Sequence, residues 1–328
     1  MKPRGNIRTD LASESHEFYC RENNCSEIPG VQTEFSENGE IKITKVKVTS
    51  REGEEIIGKP AGEYVTIEVP FHFNNSKETF RTACRILSEQ LQSIISLDDD
   101  DTVLVVGLGN SHITSDSLGP KVVSSVLITR HMLEMLPKDM DDGIRPVCGI
   151  IPGVLGITGI ETIEIIQGVA EKIKPKAIIA IDALASRKME RVSTTVQISN
   201  TGISPGSGIG NNRKSINSES LGIPVIAIGV PTVIDAANIA NDTIDLIIDL
   251  LISKSGEHSS FYNMLKQLDS QEKYEIIKAA VSPGSFGNLI VTPKEIDEII
   301  EEVSLMIANG INVGLHRSID IDDISLIN

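Results

Sequence analysis

Uninterrupted apolar runs constrain this chain more than any other feature. Val103-Leu104-Val105-Val106, Ala177-Ile178-Ile179-Ala180-Ile181 and the stretch Ile223 to Val230 contain no polar alternation. Short runs of this kind read as strands buried on both faces, the environment of a parallel sheet sandwiched between helices. Arg145 to Ile151 reads as a further strand. Helical spacing recurs over Ser117 to about Met135, Ile160 to Ile173 and Val233 to Leu251, and again over Phe261 to Val281 and Pro293 to Ala308. Strands and helices alternating at this spacing predict an α/β fold, a doubly wound, mostly parallel sheet with right-handed crossovers and helices on both faces. Composition fits that core: the 328 residues include no Trp, 7 Phe and 4 Tyr, so the packing falls to Ile, Val, Leu and Ala.

The first hundred residues are different in character. Residues 1–40 are polar and weakly periodic, and read as a leader followed by an irregular entry segment. Ile41 to Thr49 alternates strictly and Tyr64 to Val69 similarly, which predicts half-exposed strands in a small antiparallel lobe, or an extension of the main sheet over residues 41–70. Asn74-Asn75-Ser76 is placed to cap a helix carrying Phe80, Ala83, Leu87, Leu91 and Ile94. The acidic run Asp98 to Asp101 has no EF-hand spacing and reads as a solvated loop.

Several function classes are disfavoured by bulk properties. The formal net charge of −16 repels phosphate backbones, so no direct nucleic-acid binding is expected. No segment approaches the ~18 apolar residues of a membrane span. No apolar run follows Met1-Lys2-Pro3-Arg4, so a secretory signal is not expected and the protein is read as soluble and intracellular. Cys20, Cys25, Cys84 and Cys148 show no CxxC spacing, so free thiols are expected and neither a metal nor a cofactor is called for.

In open α/β sheets, ligands bind beyond the carboxyl ends of the strands. Three such ends carry polar or glycine-rich sequence: Gly107-Leu108-Gly109-Asn110 leading to Asp116, Pro152-Gly153-Val154-Leu155-Gly156-Ile157-Thr158-Gly159, and Asp182-Ala183-Leu184-Ala185-Ser186-Arg187. The first is not a dinucleotide fingerprint, because His112 stands where the third glycine is required. Its glycines instead suit a tight turn. Asp116 and Asp182 each follow an apolar strand and should be partly desolvated, which raises a carboxyl pKa. Facing one another, they could divide the work of base and acid in hydrolysis. Each could equally cap the following helix, and spacing alone favours the cap. The six His residues are scattered, and no G-x-S-x-G marks a strand–helix turn. Gly206-Ser207-Gly208, within Gly202 to Gly210, reads as a surface loop between strands.

At these residues the chain resembles the spore germination proteases, endopeptidases of spore-forming Firmicutes that degrade small acid-soluble spore proteins. The likeness rests on Arg8-Thr9-Asp10-Leu11-Ala12-Ser13-Glu14, Gly58-Lys59-Pro60-Ala61-Gly62-Glu63-Tyr64, Gly107 to Asn110, Asp116-Ser117-Leu118-Gly119-Pro120, Pro152 to Thr162 and Asp182 to Arg187. It implies an atypical aspartic peptidase with a hydrogenase-maturation-protease-like fold, whose two essential aspartates fall on Asp116 and Asp182. Gly107, Gly109, Asn110, Gly153 and Gly156 become candidates for contact with substrate. The resemblance further implies a zymogen whose substrates are cut after an acidic and before a hydrophobic residue, in sequences like Glu-Phe/Ile-Ala-Ser-Glu. Asp10 to Glu14 imitates that site, so self-cleavage is expected between Asp10 and Leu11, with residues 1–10 as propeptide and 11–328 as one peptidase domain. Acidic conditions in the developing spore would favour that activation. A homotetramer in the cytoplasm of the forespore and spore core is implied as well. The alternative reading is a nickel-dependent processing peptidase of the hydrogenase-maturation kind, separable by sensitivity to chelators.

Overall fold

The computed structural model describes residues 9–70, 76–133, 135, 143–206, 213–254 and 289–323. Among these, one nine-stranded sheet runs through the molecule in the order β1-β2-β3-β7-β8-β6-β4-β5, with β9 paired to β8. The strands are β1 (Val31–Asn38), β2 (Ile41–Val48), β3 (Gly62–Glu68), β4 (Val103–Gly107), β5 (Val147–Ile150), β6 (Ala177–Ser186), β7 (Thr195–Ser199), β8 (Val225–Asp235) and β9 (Ile290–Val291). Only β5, β4, β6 and β8 are mutually parallel; every other pairing is antiparallel. The sheet is therefore mixed, not mostly parallel as expected. The fully buried β4, β6 and β8 supplied the apolar runs, whereas the antiparallel half hides behind alternation.

The expected antiparallel lobe is the continuation of this same sheet. Strand β7, which the sequence reading passed over, stitches β3 to β8 and joins the two halves. The entry segment is not irregular either: Ala12–Asn23 forms α1, and β1 pairs along its full length with β2. Polar composition concealed both, because most of β1 faces solvent.

The remaining helices are α2 (Arg51–Ile57), α3 (Lys77–Ile94), α4 (Leu118–Ser125), α5 (Arg130–Leu133), α6 (Leu155–Thr158), α7 (Thr162–Ile173), α8 (Ser218–Leu221), α9 (Ala236–Lys254) and α10 (Ile296–Leu315). Ser76 caps α3 by accepting the Thr79 N–H, as its position suggested; Asn74 and Asn75 lie outside the described residues. The helix expected from Ser117 to Met135 ends at Ser125 and resumes as α5. Phe261 to Val281 and Ser207 to Gly210 also lie outside the described residues. The acidic run is tied down as a loop: the Arg145 guanidinium donates to the Asp98 carbonyl, and Arg317 pairs with Asp99 at 2.7 Å.

The two faces are covered differently. On one, α3, α4 and α10 pack into a continuous apolar cluster that includes Ile43, Val105, Ile179, Ile181, Ile228 and Ile307. On the other, α7 covers Leu104, Val106, Ile178 and Ala180, while α1 seats Ala12 on Val46, Val48 and Tyr64. Between α7 and α1 this second face carries polar side chains, and there the candidate site lies.

Candidate active site

The parallel strands run in the order β5-β4-β6-β8, so the chain leaves β4 to one side and returns on the other. The reversal lies between β4 and β6, the position where open α/β sheets bind ligands. Asp116 and Asp182 come from the strands on either side of it.

Asp182 is not at the end of its strand, as the apolar run suggested. Strand β6 continues to Ser186, and Asp182 pairs within it opposite Gly229 of β8. The residue is 5% exposed, and its Oδ1 accepts the Ala183 N–H at 3.0 Å. Burial pushes its pKa well above the ordinary carboxylate value, and the charges of Asp116 and Asp10 push it further in the same direction.

Asp116 closes a single 3-10 turn, Thr114–Asp116, that touches β6 and β8. The turn is anchored where the Thr232 hydroxyl donates to the Ser115 carbonyl at 2.6 Å. The Asn110 N–H donates to both the Asp116 carbonyl (3.0 Å) and its Oδ2 (2.9 Å). Half-buried, the carboxyl has its pKa raised by desolvation, with the Asn110 N–H acting against the rise. Neither aspartate caps a helix. Ser117 precedes α4 without a side-chain cap bond, and Asp182 lies inside a strand.

Glycines permit this closeness. A Cβ on Gly107 would sit 2.3 Å from the Gly119 carbonyl oxygen, and one on Gly109 would sit 2.1 Å from that of Asp116. Gly109 also has φ +107°, which favours glycine. Gly153 has φ +72° in the turn after β5, whereas a Cβ on Gly156 would meet nothing within 4 Å. The second glycine-rich strand end is therefore a solvent-facing segment, with Ile151, Ile157 and Ile160 exposed beside it.

Residues Thr9 to Glu14 lie over the site. The Asp10 N–H donates to the Ala185 carbonyl at 3.0 Å, and the Ala185 N–H returns to Asp10 Oδ2 at 2.9 Å. Leu11 is fully buried. Gln197 Nε2 donates to the Asp10 carbonyl at 3.1 Å, while its Oε1 accepts the Ala12 N–H at 2.8 Å. The Thr66 hydroxyl donates to Ser13 Oγ at 3.3 Å. Glu14 accepts two successive backbone N–H groups, from Arg187 (2.7 Å) and Lys188 (2.9 Å), and the Thr9 hydroxyl also donates to it. The half-buried Lys59 donates to the Thr9 carbonyl at 3.1 Å; burial lowers its pKa, and the charges of Asp10 and Glu14 act against that. Thus each residue of Asp10-Leu11-Ala12-Ser13-Glu14 is held by a specific contact or by full burial.

Arg187, at the end of the Asp182 to Arg187 stretch, is engaged by its own neighbours. Its guanidinium pairs with Asp242 at 3.0 Å and lies 5.1 Å over the Phe18 ring. Among the described residues, no three His, Cys, Asp or Glu side chains gather closely enough to share a metal ion, so the nickel-dependent alternative gains no support there. No helix among them is long and apolar enough to cross a membrane.

A family model described as germination protease matches residues 8–254 and 249–328, nearly the whole chain. The chain belongs to the germination protease family. The germination protease of Clostridium tetani (strain Massachusetts / E88) is 50% identical over 319 residues, covering 97% of this chain and 98% of its own length. That of Clostridium perfringens (strain SM101 / Type A) is 51% identical over 321 residues, covering 98% of both. The Priestia megaterium (strain ATCC 12872 / QMB1551) germination protease is 42% identical over 352 residues, covering 96% of this chain and 95% of its own. Membership makes the chain a peptidase of spore germination.

Two groups at the site had no assigned role in the sequence reading, Gln197 and Lys59. For Gln197 a signal was present. Thr195, Gln197 and Ser199 alternate with Val196 and Ile198, so β7 has one wholly polar face, yet all three polar residues are buried. A buried polar face needs polar partners.

Proposed function

We propose that this chain is an atypical aspartic endopeptidase that initiates degradation of small acid-soluble spore proteins in the cytoplasm of the forespore and spore core. In this reading it is made as a zymogen that cuts itself between Asp10 and Leu11. The observation that carries the proposal is the seating of Asp10 to Glu14 beside Asp182. The segment that imitates the expected substrate lies where substrate should lie: Asp10 donates its backbone N–H to the Ala185 carbonyl of β6 and accepts the Ala185 N–H with its carboxylate. Preference for an acidic residue before the cut has a physical basis there. The Asp10 carboxylate takes the Ala185 N–H and sits near Lys59.

Asp182, whose pKa is the more strongly raised, carries the proton. Asp116, half-buried and hydrogen-bonded to Asn110, carries the charge. Asp116 takes a proton from water as its oxygen attacks the Asp10 carbonyl carbon, and Asp182 gives its proton to the departing Leu11 nitrogen. Activity should fall as pH rises through the elevated pKa of Asp182, and fall again in acid as Asp116 protonates. Acidification within the forespore therefore favours processing. Gly107, Gly109 and Asn110 serve by holding the Asp116 turn, and Gly153 and Gly156 border the substrate path. Assembly into a homotetramer belongs to the same proposal; Phe35, 71% exposed on the edge strand β1, supports a contact between copies.

Separate Asp116→Asn and Asp182→Asn variants, assayed on a peptide containing Glu-Ile-Ala-Ser-Glu, should each lose at least ~100-fold in kcat with folding retained. Near-normal turnover in either removes that residue from the mechanism. Amino-terminal sequencing of the active form should begin at Leu11, and an intact Met1 on fully active enzyme rejects self-processing.

A further inference from the structure

Gln197 stands one strand beyond Asp182's neighbour. Asp182 is opposite Gly229, Gly229 is opposite Gln197, and Gln197 is opposite Thr66, so these four residues form one row across β6, β8, β7 and β3. Residues opposite one another in a ladder share a face. The segment Asp10 to Ser13 crosses this row, with Asp10 near enough for its charge to act on the Asp182 carboxyl at one end and Ser13 bonded to Thr66 at the other. Gln197 is 8% exposed, and its amide orientation is dictated by its partners. The Asp10 carbonyl requires a donor and the Ala12 N–H an acceptor, so Nε2 must face the former and Oε1 the latter.

The Asp10 carbonyl is the one belonging to the Asp10–Leu11 bond. In a regular ladder, the Ala185 N–H would go to a backbone carbonyl; here it goes to the Asp10 side chain instead. The Asp10 carbonyl is thereby available to Gln197. A side-chain N–H aimed at a scissile carbonyl can stabilise the negative charge that develops on its oxygen during attack.

We propose that Gln197 is a catalytic residue, its Nε2 amide stabilising the oxyanion at the scissile carbonyl while its Oε1 aligns the chain two residues downstream. The inference rests on the self-cleavage reading above. When water adds to the Asp10 carbonyl carbon, the C=O electron pair moves to the oxygen and the Gln197 N–H···O bond strengthens. Collapse returns the pair to the carbonyl, breaks the C–N bond and releases Leu11 as the amine, protonated from Asp182. Asp116 keeps the proton taken from water until it is passed back to Asp182. Gln197 itself gains and loses no proton.

The test uses the full chain. Self-cleavage is followed by mass spectrometry, and kcat and KM are measured on the Glu-Ile-Ala-Ser-Glu peptide, for wild type, Gln197→Ala, Gln197→Glu and, as a control on the underlying reading, Asp182→Asn. Gln197→Ala should lower kcat by ~100- to 1,000-fold with a much smaller change in KM. Gln197→Glu keeps the shape but, when ionised, offers no donor. It should be as slow at neutral pH and recover relative to wild type as pH falls and the new carboxyl protonates, beyond the rise in acid that both share through Asp182. A raised KM with kcat within about threefold, or a Gln197→Glu rate without that acid recovery, overturns the proposal and reduces Gln197 to an anchor of the leader. A wild-type chain that is never cut at Asp10 sinks the self-cleavage reading itself and this inference with it, and an Asp182→Asn chain that still cuts overturns the proton transfer described here.

Discussion

At Asp182 the fold buries a carboxyl group and sets it near two others, Asp10 and Asp116. Such a group weakens the native state at neutral pH. Its folded pKa is raised, so its favourable contribution is complete below the unfolded value near 3.8 and disappears as pH rises through the folded one. Asp182→Asn should therefore melt at a higher temperature than wild type at pH 7. The gain should shrink as pH falls through the folded value and vanish below the unfolded value near 3.8, where the wild-type carboxyl is protonated in both states. Thermal melts across that range check this; a variant less stable at every pH would mean that the carboxylate is favourably held. Sites that trade stability for chemistry behave this way.

At the scale of elements, the turn between β4 and α4 decides where Asp116 stands. Gly107, which ends β4, and Gly119, in the first turn of α4, lie back to back at its two ends. A Cβ on Gly119 would come within 2.4 Å of the Leu108 carbonyl oxygen and 2.6 Å of that of Ile181, both backbone atoms that cannot swing aside. Gly119→Ala should consequently displace the Asp116 turn, lowering both the melting temperature and kcat, the latter by at least ~10-fold, since small misplacements of a reacting group are costly. Gly156→Ala is the counterpart. It has open space and no positive φ, so stability should change by no more than ~0.5 kcal/mol. Comparable loss in both variants would refute the assignment of the tight packing to the β4–α4 turn.

Across the whole molecule, one sheet face is sealed by α3, α4 and α10 and the other is split between α7 and α1. The split leaves a gap, and residues Thr9 to Glu14 fill it. Glu14 and Glu17 hold α1 there, Glu17 through Lys188 at 2.6 Å and Arg191 at 2.5 Å. On the self-cleavage proposal, loss of residues 1–10 would leave Leu11 to Glu14 in the contacts proposed for substrate. Binding of the Glu-Ile-Ala-Ser-Glu peptide to the processed Asp182→Asn chain, made to begin at Leu11, should therefore speed amide exchange in the first turns of α1. Unchanged exchange under saturating peptide would place the peptide elsewhere.

The apolar runs at Val103, Ala177 and Ile223 were sufficient to announce an α/β core, because burial on both faces leaves no polar alternation to misread. The site's two aspartates were legible as acidic residues following such runs, and their assignment as a catalytic pair came from resemblance to a family. Capping looked as plausible from spacing because spacing is one-dimensional. Only the fold shows Asp182 continuing within β6 and Asp116 turned toward Asn110, which leaves neither at a helix start. The polar beginning of the chain gave no local sign of order. Its helix is held by partners more than 170 residues away, Gln197 with Ala12 and Arg187 with Glu14, and its strand by the whole length of β2 just downstream. Which segments must be buried, and which carboxyl groups would meet apolar surroundings, could be read from local composition alone. The tertiary structure alone decided that the mixed sheet lines up Asp182, Gly229, Gln197 and Thr66 beneath the chain's own cleavage-like segment, because register between distant strands is set by long-range pairing.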